Sequence, residues 1–200
     1  IVAHSMGGLV ARSALAAGFR AGHGWPALVR AVVFLGTPHH GAPAERLGHF
    51  AQAVLGASPY ARPFAHLGRL RSAGITDLRH GNVVDDDWAD VDRFSRHGDA
   101  RVPVPLPGGI EFFAVAGSTA AEPGASGARI PGDGLVPVAS ALGHHRDPER
   151  TLAFGGDRTW IAPGTGHLDL LGSPEVFERV WQWLAGADGA GSPAATERRK

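Results

Sequence analysis

The sequence predicts an α/β fold in which helices flank a mostly parallel sheet and a helical cap or lid interrupts the middle. Three observations predict it. The run LVRAVVFLG at 28–36 is continuously apolar and rich in β-branched residues, the composition of a strand buried on both faces. Strand-like and helix-like segments alternate along the chain, which implies parallel pairing through helical crossovers. Gly 29 and Pro 15 suit a loop-rich chain better than a helical bundle.

Each element follows in order. IVA, at the start, reads as the tail of a buried strand, and Met6 is the one methionine, so the chain is expected to be the C-terminal portion of a longer, N-terminally truncated protein. MGGLVARSALAAG, from Met6 to Gly18, predicts a small-residue helix closed by Gly18 at its C-terminal end. The strand at 28–36 comes next and is stopped by GTPHHGAP. Residues 44–110 change character. Leu47, Phe50, Val54 and Leu55 recur at helical spacing, as do Phe64, Leu67 and Leu70; an acidic stretch and the Pro-rich RVPVPLPGG follow. This is the cap or lid. IEFFAVAGS (110–118) predicts another strand, PGDGLVPVASALG (131–143) lies in a Gly-rich loop, and RTWIAP (158–163) is a short strand. The last helix has Ser173 as N-cap and Pro174 at its first position, with Val176, Phe177, Val180, Trp181 and Leu184 on one apolar stripe. One domain over 1–186 and a disordered tail over 187–200 complete the organisation.

Composition excludes several classes of function. The formal net charge is zero, with 19 basic and 19 acidic side chains, so no electrostatic footprint for nucleic acid appears. Cysteine is absent, which removes disulfides and thiolate metal sites. No run approaches the roughly 18 apolar residues of a membrane span. Localisation and oligomeric state leave no mark in these residues.

The chemistry concentrates at the start. A strand leading into His4-Ser5-Met6-Gly7-Gly8 and then a helix is the pattern of a nucleophile elbow. The turn strains the serine backbone, so its neighbours must be small; Ala3 and Gly7 meet that demand, and Gly8 lets the helix approach. Ser5 is lifted above the sheet edge, and the Met6 N–H points where a carbonyl oxygen would gain negative charge.

AHSMGG resembles the elbow of α/β-hydrolase lipases and esterases. FLGTPHHGAP and GDGLVPVASALG are similar to the same lipase-like group, near the GPI inositol-deacylase type of PGAP1-like hydrolases. The three motifs stand in the family's order and the resemblance spans roughly 1–185. It implies an α/β-hydrolase fold and the chain order Ser, acid, His. His167, just beyond TWIAP and ahead of the last helix, takes the place of the general base. Asp133, in PGDGLVP, takes the place of the acid that holds the imidazole. Asp157 lies before its strand, Asp169 is two residues from His167, and Asp85, Asp86 and Asp87 read as a solvated face. His4, His39 and His40 are candidates for substrate contact, His39 and His40 by lining an acyl pocket or by bracing the loop beside the serine. His144 and His145 read as solvated. No metal site and no cofactor are implied. The expected reaction is hydrolysis of a carboxylic ester or lipid through an acyl-enzyme. Acyl transfer to an alcohol by the same residues is the first alternative, and a non-catalytic binding module on this scaffold is the second.

Overall fold

Four parallel strands form one sheet in the computed structural model, which describes residues 1–42, 79–88, 101–121 and 131–190. They are β1 (Val2–His4), β2 (Ala31–Leu35), β3 (Glu111–Gly117) and β4 (Thr159–Ala162), hydrogen-bonded in the order β1-β2-β3-β4. The helices are α1 (Met6–Arg20), the single turn α2 (Val138–Ala141) and α3 (Pro174–Ala190). Most of the cap expected at 44–110 lies outside the described residues, as does the tail from 191.

The strand residues explain both layers. Side chains alternate across a strand, so Phe112, Ala114 and Ala116 of β3 join Ala3, Val32 and Phe34 on one face, where Leu15 of α1 and Val138 and Ala141 of α2 cover them. Phe113 and Val115 point the other way, beside Ala31, Val33 and Leu35, and there α3 packs with Val176, Val180, Trp183 and Leu184. The Trp183 ring stacks on Phe113 at 5.0 Å and its Nε1–H donates to the Asp157 carbonyl. A sheet covered on both faces explains why β2 is buried at every position.

Four local expectations are corrected. Gly18 does not close α1, which runs on to Arg20. The cap is Gly22 at φ 68°, with His23 N–H donating to Gly18 O and Gly22 N–H to Phe19 O, a Schellman arrangement. Gly18 serves packing instead: a Cβ there would stand 2.8 Å from the Trp25 ring and 2.9 Å from Pro26.

The stripe on α3 is rotated from the expected one. Trp183 joins the buried face, whereas Phe177 and Trp181 are 67% and 60% exposed and stack on each other at 6.5 Å. The helix also continues to Ala190, into the segment expected to be disordered, since no proline interrupts it before Pro193. Its start is capped as expected, with Val176 N–H donating to Ser173 Oγ at 3.3 Å.

Asp87, expected on a solvated face, is buried. Its carboxylate accepts from the backbone N–H groups of Val83, Val84 and Val102, closing a short turn that packs against Leu9 of α1.

Candidate active site

The turn between β1 and α1 has unusual backbone geometry. Ser5 sits at φ 54°, ψ −127°, the one non-glycine residue with positive φ among the described residues. Such conformations cost of order 1–3 kcal/mol and persist only where the surroundings enforce them. The enforcement is visible on both sides: Ser5 N–H donates to Leu35 O at 2.8 Å, and Gly8 N–H donates to Ser5 O at 3.0 Å. The steric demand falls on Gly8 rather than Gly7. A Cβ at Gly8 would lie 2.0 Å from Thr37 Oγ1, whereas one at Gly7 would meet nothing within 4 Å.

Asp133 and His167 meet Ser5 from loops that follow β3 and β4. His167 Nδ1–H donates to Asp133 Oδ2 at 2.7 Å, and the neutral ring's Nε2 lies 2.9 Å from Ser5 Oγ, placed to accept the hydroxyl proton. All three side chains are buried. The carboxylate is itself held: Asp133 Oδ1 accepts from the N–H groups of Leu135 and Val136, and Asp133 O accepts from His167 N–H. Orientation of this pair therefore does not rest on a single contact. Met6 opens α1, where the first N–H groups of a helix have no intrahelical acceptor.

Two glycines make room for the pair. A Cβ on Gly36, which lies at φ 55°, would stand 3.0 Å from Asp133 Oδ2 and 3.2 Å from His167 Cε1. A Cβ on Gly117 would stand 2.8 Å from Asp133 Cβ. Sequence reasoning missed both; their signal was a glycine directly after, or ending, a core strand.

The remaining candidates take different places. His4 Nε2–H donates to His167 O at 2.9 Å, with ring centroids 4.6 Å apart. Burial, and then the neighbouring His167, hold the His4 imidazole below the usual histidine range, so it is neutral near pH 7. His39 is completely buried against the edge of Phe34, 4.7 Å between centroids, and neither ring nitrogen has a hydrogen-bond partner. His40 Nε2–H donates to Gly143 O, and its Nδ1 accepts from Arg101. Burial lowers the His40 pKa to about 4, Arg101 pushing the same way. The contacts of His39 and His40 thus run away from Ser5, into the loops at 101 and 140–143. Asp169 accepts from Gly166 N–H and braces the loop carrying His167. Ser140 Oγ donates to Gly41 O. Among the described residues, no group of three His, Asp or Glu side chains is placed to hold a metal ion.

The comparison with protein families decides the rest. A model of the PGAP1-like alpha/beta domain matches residues 1–104, which contain the Ser5 turn, β1, α1 and β2. The chain belongs to the PGAP1-like α/β-hydrolase family. Its parallel sheet with helices on both faces is the architecture that membership requires, and its general function is of the hydrolase type. Comparison with curated proteins gave no match. In this PGAP1-like domain no described helix is long and apolar enough to cross a membrane.

Proposed function

We propose that the protein is a serine hydrolase of carboxylic esters that works through an acyl-enzyme. The observation that supports this reading is the continuous hydrogen-bonded chain from Ser5 Oγ through His167 to Asp133. A serine hydroxyl is a weak nucleophile until a base removes its proton. His167 Nε2 takes that proton as Ser5 Oγ bonds to the carbonyl carbon; Asp133 keeps the ring in the productive tautomer and stabilises the imidazolium. The Met6 N–H at the start of α1 supplies one donor to the oxyanion. Imidazolium then returns the proton to the leaving alcohol, and water repeats the sequence to release the acid. The insertion at 44–110 is proposed as the cap over the acyl chain. His4 acts in this scheme by holding the carbonyl of His167.

The test is a fluorophosphonate label combined with hydrolysis of a short-chain p-nitrophenyl ester. Wild-type protein is expected to take label at Ser5, and Ser5→Ala to take none. His167→Ala is expected to lower kcat roughly 10⁴-fold or more if the three groups act as a unit. Labelling at Ser118 or Ser140 instead, or full activity in His167→Ala, refutes the assignment.

A further inference from the structure

A groove of about 400 Å³ runs along α1, in the size class of small-ligand sites. Met6, Leu9, Val10, Ser13, Ala14 and Ala17 line one wall. They recur at i, i+3, i+4, i+7, i+8 and i+11, so they form one stripe along the helix, apolar except for Ser13. The facing wall is the turn at 82–85, which belongs to the insertion at 44–110. Asp87 holds that turn by accepting from the N–H groups of Val83 and Val84, and Leu9 packs against both valines.

The groove starts beside Ser5 and has a direction. Met6 follows Ser5 in the chain. Gly81, just before the facing turn, lies against the loop after β2, where a Cβ would stand 2.7 Å from Gly41 N; Thr37 of the same loop meets Gly8 in the first turn of α1. Asp86, just after the facing turn, pairs with Arg20 at the far end of α1, 3.5 Å apart. The turn therefore runs alongside the helix with Asn82 nearest Ser5, and the ion pair bridges the two walls beyond Ala17. Asn82 lines the groove and is only 8% exposed, yet its side-chain amide makes no hydrogen bond among the described residues. Val10 across from the turn is 59% exposed. An unpaired buried amide and an exposed apolar stripe in one groove both point to a ligand.

The side of the reaction that the groove serves follows from His167. Its imidazolium must reach the leaving oxygen, so the alcohol portion of an ester lies towards His167. No residue of the loop at 163–173 lines the groove. The other substituent of the carbonyl is the acyl chain. Resting on the serine-hydrolase reading above, we propose that this groove holds the acyl chain. Val10, Ala14 and Ala17 set the longest chain accepted, and the Asn82 amide donates to an oxygen at the carboxyl end. At a rise of about 1.5 Å per residue these three stand about 6, 12 and 16 Å from Met6 along the helix axis, a graded ruler.

The experiment measures kcat/KM of the full chain by acid release on two series: methyl esters of acetic to decanoic acid, and acetates of methanol to decanol. For wild type, kcat/KM is expected to rise up to about fourfold with each added acyl methylene before levelling off, the gain from burying one CH₂. Ala17→Phe, Ala14→Phe and Val10→Phe are expected to bring that levelling to progressively shorter acids, in that order, without shortening the alcohol profile. Should one of the three fail to fold, the other two still set the order. Asn82→Leu is expected to lower kcat/KM up to about tenfold at every acid length; no loss overturns its role. An acyl profile unmoved by the three Phe variants, or an alcohol profile that shortens instead, overturns the groove assignment while wild type still takes fluorophosphonate at Ser5. Wild type that hydrolyses neither series and takes no label overturns the serine-hydrolase reading as well.

Discussion

Gly36 sits where β2 ends, and its hydrogen atom faces the Asp133–His167 pair. A methyl group there would press on both side chains from a backbone conformation that alanine resists. Gly36→Ala is therefore expected to cost at least about 1–2 kcal/mol in urea unfolding and to lower kcat/KM disproportionately, because the clash is with the pair itself. His4 makes the milder prediction. His4→Leu removes the donor to His167 O and is expected to lower kcat about tenfold with little change in KM; His4→Gln, which keeps an N–H within reach, should recover most of it. Equal kcat in all three proteins would return His4 to a packing role. At this scale the sequence was most legible where chemistry needs a local pattern. The strand–Ser–helix turn, the glycines around Asp133 and the position of His167 are all short-range signals, and the structure brings those three residues together. His39 and His40 were not legible. Following a strand says nothing about which way two adjacent rings point, and Phe34 and Phe154 decide that for His39.

The helices show why a pattern can be right in period and wrong in phase. Val176, Phe177, Val180, Trp181 and Leu184 do recur at helical spacing, but so do Val176, Val180, Trp183 and Leu184. The sheet selects the second set because Trp183 can stack on Phe113 and reach the Asp157 carbonyl. Periodicity fixes the existence of such a helix; its rotation is settled by partners far away in sequence. The adjacent glycines of α1 carry a matching prediction. Gly7→Ala places a methyl in open space at an ordinary φ and is expected to stabilise the protein by about 0.4–1 kcal/mol. Gly8→Ala drives a methyl into Thr37 and is expected to destabilise it by about 1–3 kcal/mol. Chemical denaturation of both variants checks the pair, and the opposite order would mean that α1 approaches the β2 loop differently.

Across the whole molecule, buried histidines set the response to acid. His4, His39 and His40 all have folded-state pKa values depressed by burial, His40 to about 4 from 6.5. Above pH 6.5 folded and unfolded chains alike hold these rings neutral. As pH falls from 6.5 towards 4 the unfolded chain binds protons that the folded chain refuses, so stability present at neutral pH is lost across that window. Urea midpoints measured between pH 8 and 4 should be flat at first and then fall. His40→Gln should make the decline shallower; an unchanged slope would assign the acid sensitivity to other groups. None of this was legible from composition, since eleven histidines look alike until burial separates them.

The bond between His167 and Ser5 also bridges 162 positions of the chain, one fewer than the neighbouring bond from His4 to the His167 carbonyl. It forms only after β1 has docked beside β2, and after β4, at the far side of the sheet, has brought its following loop across β3. Helices α1 and α3 can gather locally in microseconds, whereas non-local pairing of parallel strands is slow. On the proposed mechanism, nucleophilicity is then a stopwatch for assembly. After dilution from urea, helical circular dichroism is expected to recover first and fluorophosphonate reactivity at Ser5 last, so that a reactive molecule has already zipped all four strands.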